Sequence, residues 1–233
     1  MYATCMKGGL VLLALLHAGV VSAAQHQHTK VVSLDYCADQ FVLKLVEPTR
    51  IAAVSKDADR KFSYMRDSAA GHTQIRPSAE EVLALEPDLV VRSYGGGPNA
   101  RKFYEGLGLS VIQISYASTI EQVRAEVIRV GGLLGNGDVA ESVAREMDAR
   151  LAALTRPDPE TTPSILYVTP GGVTTGPGTL VHELITAAGL GNFQQEPGWR
   201  SLPLEKLAFN QPGLLATSFY LSLIHISEPT RPY

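Results

Sequence analysis

One stretch of the chain is used twice. In Pro77–Tyr94, Ser78 stands three residues before Glu81, the spacing of a capping box that satisfies the free N–H groups of a helix start. Val82, Leu83 and Leu85 give that helix an apolar face, and Pro87, which lacks an N–H for the ladder, stops it. Leu89-Val90-Val91 reads as a short buried strand, and Tyr94 with Gly95, Gly96 and Gly97 leaves its carboxyl end. Pro203–Phe219 repeats the unit without a gap at an offset of 125 residues. Glu80 falls on Glu205, Val82 on Leu207, Pro87 on Pro212, Leu89 on Leu214, Val90 on Leu215 and Tyr94 on Phe219. Any two amphipathic helix–strand units look alike in period, but these also share a Glu seven residues ahead of a Pro. A repeat at this distance predicts two lobes of similar build.

The chain has 233 residues and 45% hydrophobic content, enough for one large or two small cores. Its net charge is −3 and no basic stripe appears, which argues against a nucleic-acid partner. Residues 1–24 read as a signal peptide. Lys7 supplies the cationic start, Leu10–Val21 an apolar run too short to span a bilayer, and Val21-Ser22-Ala23 a cleavage site. The mature chain is therefore expected in the periplasm. His26 and His28 belong to a disordered terminus on this reading. Cys5 leaves with the signal, so Cys37 has no disulfide partner and reads as a small, partly buried thiol.

From Lys30 the chain alternates strand and helix. Strands are expected at Lys30–Asp35, Ile51–Ser55, Leu89–Val91 and Val111–Ile114, with helices between them, the first capped by Asp39 and running from Gln40 to Val46. Thr119 with Gln122 opens a helix to about Leu134, and Asp138 with Glu141 opens another to about Leu154, with Val139, Val143, Met147, Leu151 and Leu154 as its apolar stripe. Ser164–Val168 opens the second lobe as Val31–Leu34 opens the first, a loop follows to Gly178, and Thr179 caps a helix over Leu180–Ala188. The fold class is α/β: two similar lobes with mainly parallel sheets and flanking helices, joined by one long connecting helix. The divisions are a lobe over 29–119, a helical connector over 120–155, a partial second lobe over 163–220 and a non-native tail over 221–233, which resembles the in-frame translation of a transposon-end sequencing adapter.

The signal, the repeat, Val32-Ser33-Leu34-Asp35, the run at 80–90, Leu107–Ile112 and Gly132–Gly135 together resemble the periplasmic substrate-binding proteins of ABC importers. The similar class has a helical backbone between its lobes and carries iron–siderophore, haem or cobalamin complexes. The resemblance implies a monomer with no catalytic residues and no cofactor, which captures its ligand between the lobes and delivers it to a permease dimer. It also implies that Glu80 and Glu205 each pair with an arginine of that permease, and that Trp199, six residues before Glu205, faces the ligand.

Ligands of open α/β sheets sit beyond the carboxyl ends of the strands. The loops there carry Tyr36, Tyr64, Arg66, Tyr94, Tyr116, Thr169 and Trp199, aromatic walls with a few polar groups. Arg66 would suit a carboxylate or catecholate on the ligand. Enzyme signatures are missing: there is no G-x-S-x-G, no H-E-x-x-H and no phosphate loop, since Pro98 removes a donor from Gly95-Gly96-Gly97. The alternative is a zinc- or manganese-binding protein of related fold using His72 and His182, which needs three or more clustered ligands.

Overall fold

The computed structural model describes residues 29–154, 162–202 and 204–218. The expected signal peptide, the linker after Leu154, Pro203, and the tail from Phe219 onward lie outside the described residues. What is described divides into two compact units. Unit 1 holds residues up to Ser115 together with Val127–Glu141, and unit 2 holds Tyr116–Glu126 together with residues from Ser142 onward.

Unit 1 is built on five parallel strands in the order β3-β2-β1-β4-β5, where β1 is Val31–Ser33, β2 Ile51–Ser55, β3 Gln74–Ile75, β4 Leu89–Arg92 and β5 Ser110–Gln113. Every residue of β1 and β4 is buried, as strands of a parallel sheet covered on both faces must be. Helices α1 (Tyr36–Leu45), α2 (Ala79–Leu83) and α3 (Ala100–Gly106) connect them. Val32, Leu34, Ala53, Val82, Val90 and Tyr104 form one core cluster with Ile75 and Ala100. The helix expected to begin after Asp39 begins earlier. Asp35 is the N-cap, its carboxylate accepting the Ala38 N–H at 3.0 Å. Asp39 is instead fully buried, accepting the Ser55 N–H at 3.0 Å and the Ser55 hydroxyl at 2.6 Å. Both aspartates suit a cap, and the Ser55 N–H and hydroxyl, which claim Asp39, decide between them.

Helix α2 starts as its spacing predicts, with Ser78 Oγ accepting the Glu81 N–H at 3.3 Å. The reciprocal arm reaches further back: Glu81 Oε2 accepts the Arg76 N–H at 2.8 Å. Two longer helices follow, α4 (Ile120–Leu133) and α5 (Gly137–Ala152), and the division between units falls inside both. Thr119 and Gln122 cap α4 as expected. The buried face of α5 is Ala140 and Ala144; Val143, Met147 and Leu151 are half-buried, and Val139 is exposed. Alanines take the closest positions because the helices approach where Gly131 of α4 meets Ala140.

In unit 2, β6 (Ser164–Val168) lies between β10 (Leu214–Thr217) and β8 (Gly191–Asn192), all parallel. Helix α6 (Leu180–Ala187) is capped by Thr179, and α7 (Leu204–Phe209) precedes β10. The segment read as a loop to Gly178 contains β7 (Val173–Thr175), which pairs antiparallel with β9 (Trp199–Ser201). The repeat is carried into the pairing: Val32 faces Val90 across β1 and β4, and Leu166 faces Leu215 across β6 and β10. The units differ beyond that point. β4 has β5 on its far edge, whereas β10 has no far-side strand among the described residues. Leu215 is accordingly 65% exposed where Val90 is fully buried.

Candidate functional site

In unit 1 the chain runs outward from β1 to β2 and β3 on one side and to β4 and β5 on the other. Adjacent loops diverge beyond β1 and β4, and such a switch point is where open α/β sheets bind ligands. Asp35 stands there, 3% exposed. Its Oδ2 accepts three consecutive backbone N–H groups of the β4–α3 loop, from Ser93 at 2.7 Å, Tyr94 at 3.0 Å and Gly95 at 2.8 Å. Arg92, also buried, holds the same loop by its carbonyls. Its guanidinium donates to Gly95 O and to Gly97 O, each at 2.8 Å, and to Gln113 Oε1 at 2.7 Å. Gly95 must be glycine, since a Cβ there would lie 2.5 Å from the Leu34 carbonyl oxygen.

The loop so held brings Tyr94 to Tyr36, ring centroids 6.1 Å apart, and Phe62 meets Tyr36 at 5.1 Å, both edge-to-face. Phe62 comes from the long segment after β2, which Gln40 of α1 pins in place. The Gln40 amide donates to Ser63 Oγ at 3.0 Å and accepts the Met65 N–H at 3.0 Å. Partial burial, then the Asp35 carboxylate, push the Tyr94 phenol above its ordinary range. A tyrosine phenol is already neutral at physiological pH, and the shift keeps Tyr94 a neutral hydrogen-bonding group into the alkaline range as well. Burial, with Asp35 next, also raises the Cys37 thiol, which makes a nucleophilic or metal-binding thiolate unfavourable there.

The family model for a periplasmic binding protein matches residues 31–216. The chain belongs to the periplasmic binding protein family. The family is one of extracytoplasmic solute-binding proteins rather than enzymes, and no helix among the described residues is long and apolar enough to cross a membrane. A cobalamin-binding protein of Halobacterium salinarum is 28% identical over 164 residues, covering 69% of this chain and 44% of that one, so the chain spans less than half of that relative's length. A periplasmic haem-binding protein of Vibrio cholerae has a TM-score of 0.68 at 21% identity, over 82% of this chain and 76% of that one. A periplasmic vitamin B12 binding protein of Vibrio cholerae has a TM-score of 0.58 at 18% identity, with the same coverage. At these identities the two structures speak for the fold alone.

Of the candidate ligand residues of this family member, Tyr36 and Tyr94 are brought together. Tyr64 lies in the same segment as Phe62 with its ring 79% exposed. Arg66 is exposed and turned locally, donating to Ser63 O at 3.2 Å with Asp67 at 3.9 Å. Tyr116, 78% exposed, belongs to unit 2. Thr169 closes the β6–β7 turn, its Oγ1 accepting the Val173 N–H. Trp199 sits on β9, half exposed, edge-to-face on Tyr167 at 6.1 Å. His182 is engaged by the Asn192 amide at 3.1 Å, and no group of three metal-ligating side chains occurs among the described residues. Glu80 and Glu205 are both exposed, and neither side chain has a partner among the described residues, whereas Glu81 pairs with Arg76 at 3.3 Å. Phe62, Arg92 and Tyr167 are not among the residues that sequence patterns single out, and Asp35 is there only as part of the Val32-Ser33-Leu34-Asp35 run, with no role at the site. An Asp directly after an apolar strand is the one available signal for Asp35.

Proposed function

We propose that the chain captures an iron–siderophore, haem or cobalamin-type complex outside the cytoplasm and hands it to the permease dimer of an ABC importer. The observation that carries this reading is the Tyr36, Phe62 and Tyr94 cluster at the switch point of unit 1, in a chain of this family. Edge-to-face rings leave apolar surface for a flat or chelated ligand, and the phenols add hydrogen bonds that orient it. The cobalamin-binding relative and the haem- and B12-binding proteins of the same fold support that ligand class. Trp199 on Tyr167 supplies a second aromatic surface in unit 2, and Tyr64, Arg66, Tyr116 and Thr169 complete the proposed contacts. Residues 1–24 direct export on this reading, and the mature protein acts as a monomer. Glu80 and Glu205 are the permease contacts: each is an acidic group in the first turn of its helix, exposed and unpaired among the described residues, at matched places in the repeat.

Native mass spectrometry of the full-length protein purified from the periplasm tests the reading. A bound organic mass of a tetrapyrrole, corrinoid or siderophore is the expected result. A lone divalent metal with no organic mass would overturn it in favour of the metal-binding alternative.

A further inference from the structure

We infer that Asp35 and Arg92 are positioning residues that hold the Ser93–Gly97 loop from opposite sides, so that the Tyr36–Tyr94 wall is preformed in the unliganded protein. A five-residue glycine-rich loop would ordinarily sample many conformations, because glycine restricts the backbone least. Here its polar groups are taken up in sequence. One carboxylate oxygen accepts the N–H groups of Ser93, Tyr94 and Gly95, and one guanidinium donates to the carbonyls of Gly95 and Gly97. The two side chains carry opposite charges, both are at least 95% buried, and both meet Gly95, one at its N–H and the other at its carbonyl. Asp35 reaches from the end of β1 and Arg92 from the end of β4, so the loop is referenced to the two central strands of the sheet. Charge-assisted hydrogen bonds in a water-poor setting are the strong ones, and an unmet partner on either side is costly. A binding wall already in its bound conformation avoids the ordering cost at the moment of capture.

The inference deepens the proposed function and rests on it for the identity of what the wall meets. The test uses Asp35→Ser in the full-length protein, because serine keeps an acceptor for the Ala38 N–H and removes the one serving the loop. Arg92→Lys is the second variant, retaining charge but not three separated donors. Amide hydrogen exchange of Ser93, Tyr94 and Gly95 is measured without ligand, alongside association rates for hemin and cyanocobalamin. Both variants are expected to speed exchange at these three amides about tenfold or more while leaving β2 amides unchanged, and to slow association of whichever probe binds by about tenfold. Unchanged loop exchange overturns the inference, as does faster exchange with an unchanged association rate. If the unmodified protein binds neither probe, the haem and cobalamin readings fail and the iron–siderophore reading alone is left, while exchange by itself decides whether the loop is held.

Discussion

Two adjacent glycines of α4 predict opposite responses to the same substitution. A Cβ added at Gly131 would lie 2.1 Å from the Ala140 Cβ of α5 and 3.4 Å from the Asn136 carbonyl oxygen, whereas one added at Gly132 meets nothing within 4 Å. Alanine is favoured over glycine in a helix interior by about 1 kcal/mol, so Gly132→Ala should stabilise unit 1 by about that amount. Gly131→Ala gains the same term but must push α4 and α5 apart, since neither contacting atom is at the end of a flexible side chain. Overpacking of this kind costs about 3 kcal/mol at the upper end of the usual range, leaving a net loss of about 2 kcal/mol. The variants should differ by about 3 kcal/mol, or a factor of about 150 in the opening equilibrium. Hydrogen exchange at Val32 and Val91 of β1 and β4 reads that equilibrium for unit 1 itself, free of the two-state assumption that a chain of two units can violate. Equal protection in the two variants would refute the close approach of α4 and α5 at Gly131.

Gly95→Ala should cost about 2–3 kcal/mol by the same measurement, because its Cβ would meet the Leu34 backbone at 2.5–2.7 Å and push the loop off Asp35. Asp39 has its carboxyl raised above its ordinary 3.8, first by burial, so the folded state holds the proton more tightly than the unfolded one. Its contribution to stability is therefore full below about pH 4 and lost as pH rises through the raised value. A plot of melting temperature against pH for the unmodified protein minus Asp39→Asn should fall across that acid window and be flat at neutrality; a rise would contradict it. Replacing both Glu80 and Glu205 with Ala should leave ligand affinity within about twofold and weaken permease binding about tenfold at low salt, each exposed pair being worth about 0.2–1 kcal/mol. Surface plasmon resonance against the reconstituted permease reads this, and a collapse of ligand affinity with docking intact would place both residues at the ligand instead.

The fold was legible where local chemistry and tertiary demand agree. Ser78, Thr119 and Thr179 each stand at cap spacing ahead of an apolar helical stretch, and all three cap. The repeat fixed which strands correspond, and the register of β1 with β4 and of β6 with β10 follows it. Where two residues suited one role, the sequence could not choose. Asp35 and Asp39 are one helical turn apart and equally able to cap α1. The outcome depends on Ser55 of β2, whose N–H and hydroxyl claim Asp39 from sixteen residues away. The short strands β3, β7, β8 and β9 have no sequence signal for a related reason: two or three residues carry no period, and only a neighbouring strand makes them strands.

The candidate site was legible in a different sense, as residue types at strand ends rather than as a constellation. Tyr36 and Tyr94 could be named because strand-end loops in a parallel sheet face the ligand side, a rule of topology that needs no contacts. That they meet each other, and that Phe62 joins them, depends on Gln40, Asp35 and Arg92. Gln40 and Arg92 carry no sequence signature, and Asp35 has only its place directly after an apolar strand. A buried arginine looks like a surface arginine in one dimension, and Arg92 follows Leu89-Val90-Val91 just as a charged residue follows a strand entering solvent. Its role comes from Gln113 and the glycine carbonyls arriving from elsewhere in the fold. The aromatic side chains that would touch ligand belong to the kinds of residue a sequence reader looks for. The polar side chains that hold them in place are recognisable only after folding, because what distinguishes them is the set of backbone groups they satisfy.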